Sequence, residues 1–187
     1  MSTQEQLVDI GETLMRERGY GGFSFADLAR ETGIRKASVH HHFATKADFG
    51  IAVLIRYAER MRALLEMFAN SRSGGQALYK LINLYREMLS DSEHLCLCVA
   101  LAGDRTILSE RMHAVLAQTN AATASWIESV LLTGRKDRSI SVGGDPAEEA
   151  WAILAHLQGA QLLARAAGEV EQFDKALVTL MTRINRY

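Results

Sequence analysis

Between Ser24 and Phe49 the chain reads Ser-Phe-Ala-Asp-Leu-Ala-Arg-Glu-Thr-Gly-Ile-Arg-Lys-Ala-Ser-Val-His-His-His-Phe-Ala-Thr-Lys-Ala-Asp-Phe, a pattern of two short helices joined at Gly33 and followed at once by a third. Ser24 with Asp27 three residues on has capping-box spacing, in which each side chain satisfies an open backbone donor of the first helix. That helix is expected to run to Thr32 and to end at Gly33, which tolerates a positive φ. A second helix then spans Arg35 to His42. Leu28, Ala29, Ile34, Val39 and Phe43 fall where a small three-helix core needs apolar side chains, which leaves Arg35, Lys36, Ser38, His40 and His41 outside. Cations and hydrogen-bond donors on such a helix suit phosphates and base edges, so the segment reads as a helix-turn-helix DNA reader.

Thr45-Lys-Ala-Asp48 is a second capping box, placing Lys46 in the first turn of the next helix. A cation there opposes the helix dipole, whereas open N–H groups at a helix start favour an anion. Lys46 is therefore expected to clamp a backbone phosphate, and Ser24 to grip another.

Residues 19–57 resemble the DNA-binding region of TetR-family transcriptional repressors, whose pattern is roughly Gly-Tyr-x-x-Thr/Ser-Phe-x-Asp-Ile-Ala-x-x-x-Gly-Val-Ser-x-x-Thr-Leu-Tyr-x-His-Phe-x-x-Lys. Gly19-Tyr20, Ser24, Asp27, Leu28-Ala29, Gly33-Ile34, Ser38-Val39, His42-Phe43 and Lys46 match it. Arg35 stands where the family usually has Ser, which removes a cap and adds a cation. His40 stands for the usual Tyr and exchanges a phenol for an imidazole as a phosphate contact. The likeness continues beyond the reader. Cys96-Leu-Cys-Val-Ala-Leu-Ala-Gly-Asp104 is similar to the Cys-Leu-Cys-Gly-Met-Leu-Ala-Ala-Asp/Glu segment of one branch, and Leu157-Gln-Gly-Ala-Gln-Leu-Leu-Ala-Arg165 to its Leu-x-Gly-Ala-x-Leu-x-Ala-Arg. The resemblance implies a homodimer that holds a palindromic operator in double-stranded DNA and releases it when a small organic effector occupies the C-terminal helices.

The expected fold is all-α: an N-terminal three-helix DNA-binding domain, residues 1–47, fused through a long helix to a helical bundle, residues 48–187, that binds effector and dimerises. Helices are expected at Thr3–Arg18, opened by a Thr3-x-x-Gln6 box, at 44–70, Gln76–Leu89, Leu95–Leu101, Leu108–Leu132, Ala147–Ala167 and Gln172–Ile184. Asp145-Pro146 supplies an N-cap and first-turn proline, Gly134 and Gly143-Gly144 bracket an irregular segment, and Ser139–Val142 has the makings of a strand fragment. The 147–167 helix is apolar over much of its circumference, with Trp151, Leu154, Leu157, Leu162 and Leu163. Together with 172–184 it is expected to pair across a two-fold axis.

With 187 residues and 48% hydrophobic content the chain can bury a core. Its net charge of −1 does not suit a general nucleic-acid coat, so positive charge has to be local: Arg16, Arg18, Arg30, Arg35, Lys36 and Lys46 face only Glu17, Asp27 and Glu31 within 16–46. No apolar run approaches the ~20 residues of a membrane helix, and a polar helix follows Met1-Ser-Thr directly. A cytoplasmic protein without signal peptide is expected.

Several residues invite other chemistry. His40, His41 and His42 are successive helical residues about 100° apart and do not converge on one ion. Cys96 and Cys98, about 200° apart on a helix, diverge too far for an easy disulfide or shared metal. They read as buried apolar thiols or, with Arg105 and His94 near in sequence, as reactive ones. Gln158 and Gln161 on an apolar helix need partners, from an effector or from the second subunit, and Trp126 is either core or effector wall. Cys96, Cys98, Trp126, Gln158 and Gln161 are thus the candidate effector residues, and neither metal nor cofactor is expected. The chain lacks a Gly-rich phosphate loop, a Gly-x-Ser-x-Gly elbow, His-Glu-x-x-His and Cys-x-x-Cys, which argues against an enzyme. The competing reading is a helix-turn-helix regulator that senses metal, redox state or an electrophile through Cys96 and Cys98.

Overall fold

The computed structural model describes residues 2–89 and 94–184. Among these it forms nine helices: α1 Thr3–Arg18, α2 Phe25–Thr32, α3 Lys36–His42, α4 Lys46–Ala69, α5 Gly74–Glu87, α6 Leu97–Ala102, α7 Glu110–Asp137, α8 Pro146–Ala167 and α9 Glu171–Met181. They pack as two compact units, Met1–Arg60 with Leu97–Thr119, and Met61–Cys96 with Asn120–Tyr187. This grouping departs from a division after residue 47. The residues 97–119 come late in the chain yet pack with the reader, a long-range choice that no local pattern announces.

In the first unit Leu7, Met15, Leu28, Val39, Phe49 and Val53 are excluded from solvent, each large aliphatic side chain contributing about 2 kcal/mol of burial. Phe49 of α4 sits at the centre. Phe25 and Phe43 meet it edge to face, with ring centroids 5.8 and 5.0 Å away. α1 is tied to α4 by Arg56, which bonds the Glu5 carbonyl at 3.0 Å and Asp9 at 2.7 Å, and by Arg60, which pairs with the buried Glu12. α6 packs against α1. The cap of α1 differs from expectation: Ser2 accepts from the Glu5 amide at 3.2 Å and Glu5 reaches back to the Ser2 amide at 2.6 Å. The helix itself starts at Thr3, so the position before it holds the cap.

In the second unit α8 and α9 form an antiparallel hairpin closed at Gly168, and α5 lies against α8. The start of α5 is held by the far end of α7, since Asp137 accepts the Gly74 amide at 2.9 Å and Ser139 the Gly75 amide at 2.7 Å. α7 therefore continues through Gly134 to Asp137 rather than stopping near Leu132. Asp145 and Pro146 open α8 as expected. The anticipated strand fragment shrinks to one antiparallel bridge, Ile140 to Ile184. A carboxylate fixes the loop before α8: Glu149 accepts the Gly143 and Gly144 amides at 2.9 and 2.7 Å and pairs with Arg183. No helix of the described residues is long and apolar enough to cross a membrane.

Candidate nucleic-acid interface and effector site

α2 and α3 form the expected helix-turn-helix. Gly33 adopts the left-handed conformation at φ 70°, ψ 21°, and its neighbour Ile34 bonds back to the Ala29 carbonyl at 3.1 Å, which closes α2 and sets the direction of α3. Ser24 and Asp27 complete their capping box: the Asp27 amide donates to Ser24 Oγ at 3.3 Å, and the Ser24 amide and hydroxyl donate to Asp27 Oδ2 at 2.9 and 2.7 Å. The Ser24 hydroxyl, the Arg30 guanidinium at 2.7 Å and the Ser24 amide together pull the Asp27 carboxyl down to about 2. A folded-state value below the unfolded one, about 3.9, means the box is fully effective above about pH 4 and loses its contribution as pH falls towards 2. Asp27→Asn is accordingly expected to lower stability at neutral pH and to converge with the parent protein near pH 2, measured as denaturant midpoints across that range. A constant difference down to pH 2 contradicts this assignment.

α3 has only Val39 fully buried, and its N-cap Arg35 makes no side-chain capping bond. Arg35, Lys36, His40 and His41 are exposed, while Ser38 and His42 are half-buried. His40 rests edge-on against Phe25 at 5.0 Å, and the His41 and His42 rings meet at 5.6 Å. The six cations of 16–46 are not equivalent. Arg16 pairs with Glu12, Arg18 with Glu17, and Arg30 with Asp27 and Glu31. Among the described residues Arg35 and Lys36 have no ion-pair partner, and both stand at the exposed start of α3. The local positive charge anticipated from sequence thus narrows to the helix that carries the candidate base-reading residues.

Lys46 takes a role that the sequence did not disclose. Its ammonium donates to the Tyr20 carbonyl at 2.5 Å and to the Phe23 carbonyl, and lies 4.6 and 4.3 Å from the centres of the Tyr20 and Phe23 rings. Burial pushes its pKa down, and the carboxylates of Asp104 and Asp27 oppose that shift. Two of its three donors thus staple the loop between α1 and α2 to the start of α4, leaving one for a phosphate. The Thr45–Asp48 box beside it is formed, with the Asp48 amide on Thr45 Oγ1 at 3.1 Å.

The five candidate effector residues do not gather in one unit. Cys98 belongs to the unit of the reader, whereas Cys96, Trp126, Gln158 and Gln161 belong to the other. Cys96 and Cys98 are both buried and not bonded to each other. Gln161 is completely buried: its Oε1 accepts the Cys96 amide at 3.0 Å and its Nε2 donates to the Tyr85 carbonyl at 2.8 Å. Both ends of this amide are therefore taken by the protein's own backbone, and Gln161 joins α5 and the Cys96 segment to α8. Gln158, half-buried, donates to Asn120 Oδ1 of α7 at 3.1 Å. Trp126 on α7 differs from these, since its indole Nε1 is buried with no hydrogen-bond partner among the described residues. A cavity of about 630 Å³ lies between α5 and α9, lined by Tyr79, Asn83, Arg86, Phe173, Leu177 and Met181 among others.

On the outer faces of α8 and α9, Trp151, Leu162, Leu163 and Val178 are each more than half exposed, as 53%, 52%, 61% and 59% of their surface is open. Trp151, Ala155 and Leu162 recur at helical spacing along one side of α8. Isolated apolar side chains on a surface are ordinary, but an aromatic and two leucines exposed along one helix form the kind of patch that marks an interface.

Residues 7–53 match the family of bacterial regulatory proteins described as the tetR family. The chain is 28% identical over 181 residues to the HTH-type transcriptional repressor NemR of Escherichia coli, an alignment covering 94% of this chain and 90% of that protein. Its fold superposes on a TetR-family transcriptional regulator from Agrobacterium tumefaciens with a TM-score of 0.91 at 27% identity, covering 97% of both chains. It superposes on the reduced form of Escherichia coli NemR with a TM-score of 0.83 at 26% identity, covering 99% of this chain and 98% of that one.

Proposed function

We propose that the chain, whose residues 7–53 match the tetR family of bacterial regulatory proteins, is a transcriptional repressor of that family that binds a palindromic operator as a homodimer and leaves it when a small organic effector binds the C-terminal helices. The observation that carries the DNA reading is the pair Arg35 and Lys36, cations at the exposed start of α3 with no ion-pair partner among the described residues, while the other cations nearby are held by protein groups. Arg35, Lys36, Ser38, His40, His41 and His42 are the surface offered to the major groove. Ser24 and Lys46, at the starts of α2 and α4, are the phosphate contacts. Phosphate contacts position a reader and base contacts specify the sequence, so the two groups should separate by experiment. Lys36→Ala and His41→Ala are expected to weaken binding and change base preference, each lost base contact costing about 1–3 kcal/mol of discrimination. Ser24→Ala and Lys46→Ala should weaken all sequences alike. Unaltered preference in Lys36→Ala, measured by binding to a panel of single-base operator variants at fixed salt, contradicts the assignment.

The homodimer reading rests on the exposed apolar side of α8 and α9, which a second copy would cover to give a four-helix interface. The effector reading is supported by the orphan indole of Trp126, since a buried donor without a partner is costly and an acceptor on a bound molecule would satisfy it. α4 runs from Lys46, beside the reader, to Ala69 without a break, so a ligand that favours one arrangement of the helices changes DNA affinity by the same free energy with which DNA opposes the ligand. The test is operator release across a small-molecule library, with Trp126→Ala expected to blunt the response. A thiol version of the same reading assigns Cys96 or Cys98 to capture of an electrophile. The similarity to NemR, solved in a reduced form, favours carrying it into the screen. Release that is unchanged in both Cys96→Ser and Cys98→Ser eliminates the thiol version and leaves the noncovalent one standing.

A further inference from the structure

The loop Gly19–Phe23, which leads from α1 into α2, is held from two sides. From one side comes the Lys46 ammonium on the carbonyls of Tyr20 and Phe23. From the other comes Asp104, a residue 84 positions away in the turn after α6, whose carboxylate accepts the Tyr20 amide. Asp104 is itself placed by local bonds: its amide donates to the Leu101 carbonyl at 3.1 Å, and its carbonyl accepts from Ile107 at 2.9 Å. Gly19 makes room for it. At φ 73° Gly19 lies in the left-handed region, and a Cβ there would come within 2.8 Å of Asp104 Oδ2. The Ile107 side chain lies over Gly21 of the same loop. All of these groups belong to one compact unit.

We propose that Asp104 is a positioning residue for DNA binding: by holding the Tyr20 amide it fixes the loop that sets where α2, and with it α3, is presented. The proposal rests on the DNA reading above and goes beyond it, because Asp104 acts on a backbone amide of the α1–α2 loop and lies far outside the helix-turn-helix sequence. Charge and geometry make opposite demands here, which gives the idea a sign. Taking a carboxylate away from a DNA-binding unit strengthens attraction for phosphates, so electrostatics alone predicts tighter binding by Asp104→Ala. Positioning predicts the reverse, since an unanchored loop has to be ordered again on each encounter. A lost charge-assisted hydrogen bond corresponds to about tenfold in affinity. Asp104→Asn keeps an acceptor oxygen without the charge, and Gly19→Ala disturbs the contact while keeping the charge.

The probe is a duplex enriched from a random-sequence DNA pool by the parent protein, and binding is measured at one salt concentration. Deuterium exchange of the Tyr20 amide is followed in the same variants, with thermal midpoints to establish that each is folded. The expected result is binding about tenfold weaker for Asp104→Ala and Gly19→Ala, faster Tyr20 exchange in both, and affinity and exchange restored in Asp104→Asn. Binding by Asp104→Ala that equals or exceeds the parent's, with an enriched duplex in hand, overturns the positioning role and leaves the DNA reading intact. Failure of Asp104→Asn to restore what Asp104→Ala loses also overturns it, because the acceptor oxygen would then not be the operative feature. If the parent enriches no duplex, the DNA reading falls and the positioning role with it.

Discussion

Leu163→Glu is expected to turn the proposed homodimer into a monomer at micromolar concentration and to remove operator binding with it. Leu163 is the most exposed large apolar residue of the described chain and stands beside Leu162, with Trp151 on the same helix and Val178 on α9. In a two-fold interface each residue occurs twice, so one substitution removes two apolar contacts and buries two carboxylates. A leucine withdrawn from water is worth about 1.5–3 kcal/mol, and an unpaired buried charge costs more than that contact contributes. Together the change exceeds about 4 kcal/mol, a factor of about a thousand in the dimer dissociation constant. A palindromic operator needs both readers at once, so a monomer retains only weak half-site affinity. Sedimentation velocity checks the first claim and operator binding the second. Leu132→Glu, a leucine half exposed on α7, serves as a control that should change neither. A Leu163→Glu protein that stays dimeric places the interface elsewhere.

Gln161→Leu should be among the most destabilising single substitutions in the C-terminal unit. The leucine fills the same space but leaves the Cys96 amide and the Tyr85 carbonyl without their partner at a position closed to solvent. Each stranded group costs about 1–3 kcal/mol, so the pair amounts to about 2–6 kcal/mol. At about 2–4 °C per kcal/mol for a chain of this length, that corresponds to a fall of roughly 4–24 °C in the thermal midpoint. Gln161→Glu keeps the acceptor for Cys96 but sets a carboxylate against the Tyr85 carbonyl, and is expected to be at least as damaging at neutral pH. A loss below about 1 kcal/mol in denaturant unfolding would mean that the bridge contributes little and that Gln161 is available to a ligand after all.

The parts of this fold that sequence disclosed are those governed by neighbours in the chain. Ser24 with Asp27, Thr45 with Asp48, Gly33 and Asp145-Pro146 announce helix ends because the groups that satisfy the open backbone donors lie within three residues. Val39, Phe43 and Leu28 show the reader's core through helical spacing alone. The first cap was misplaced by one residue because Ser2-x-x-Glu5 and Thr3-x-x-Gln6 are overlapping boxes, and only the backbone conformation of Ser2 decides between them. α7 runs on past Gly134 to Asp137, where Asp137 and Ser139 hold the start of α5, and Ile140 packs where a side chain at 134 would be, so tertiary contacts outweigh the weak helix propensity of glycine.

The candidate sites divide in the same way. The exposed residues of α3 were legible from periodicity. The placement of Lys46 was not, because its partners Tyr20 and Phe23 offer backbone carbonyls, which have no signature in sequence. Asp104 was missed as a functional residue for the related reason that its partner is a backbone amide 84 residues away. Gln161 was singled out as an amide needing partners, and the need was real. Both partners come from the backbone of its own unit, which leaves Trp126, whose indole N–H has no partner among the described residues, as the more telling candidate for an effector contact.

The most direct test of the account is enrichment of DNA from a random-sequence pool by the full-length protein, followed by footprinting on the enriched duplex. The account predicts an inverted repeat protected by one dimer, with half-site centres about one helical turn apart or a multiple of it, and affinity that falls steeply with salt. Enrichment of no sequence, or protection that is uniform along the duplex, contradicts it.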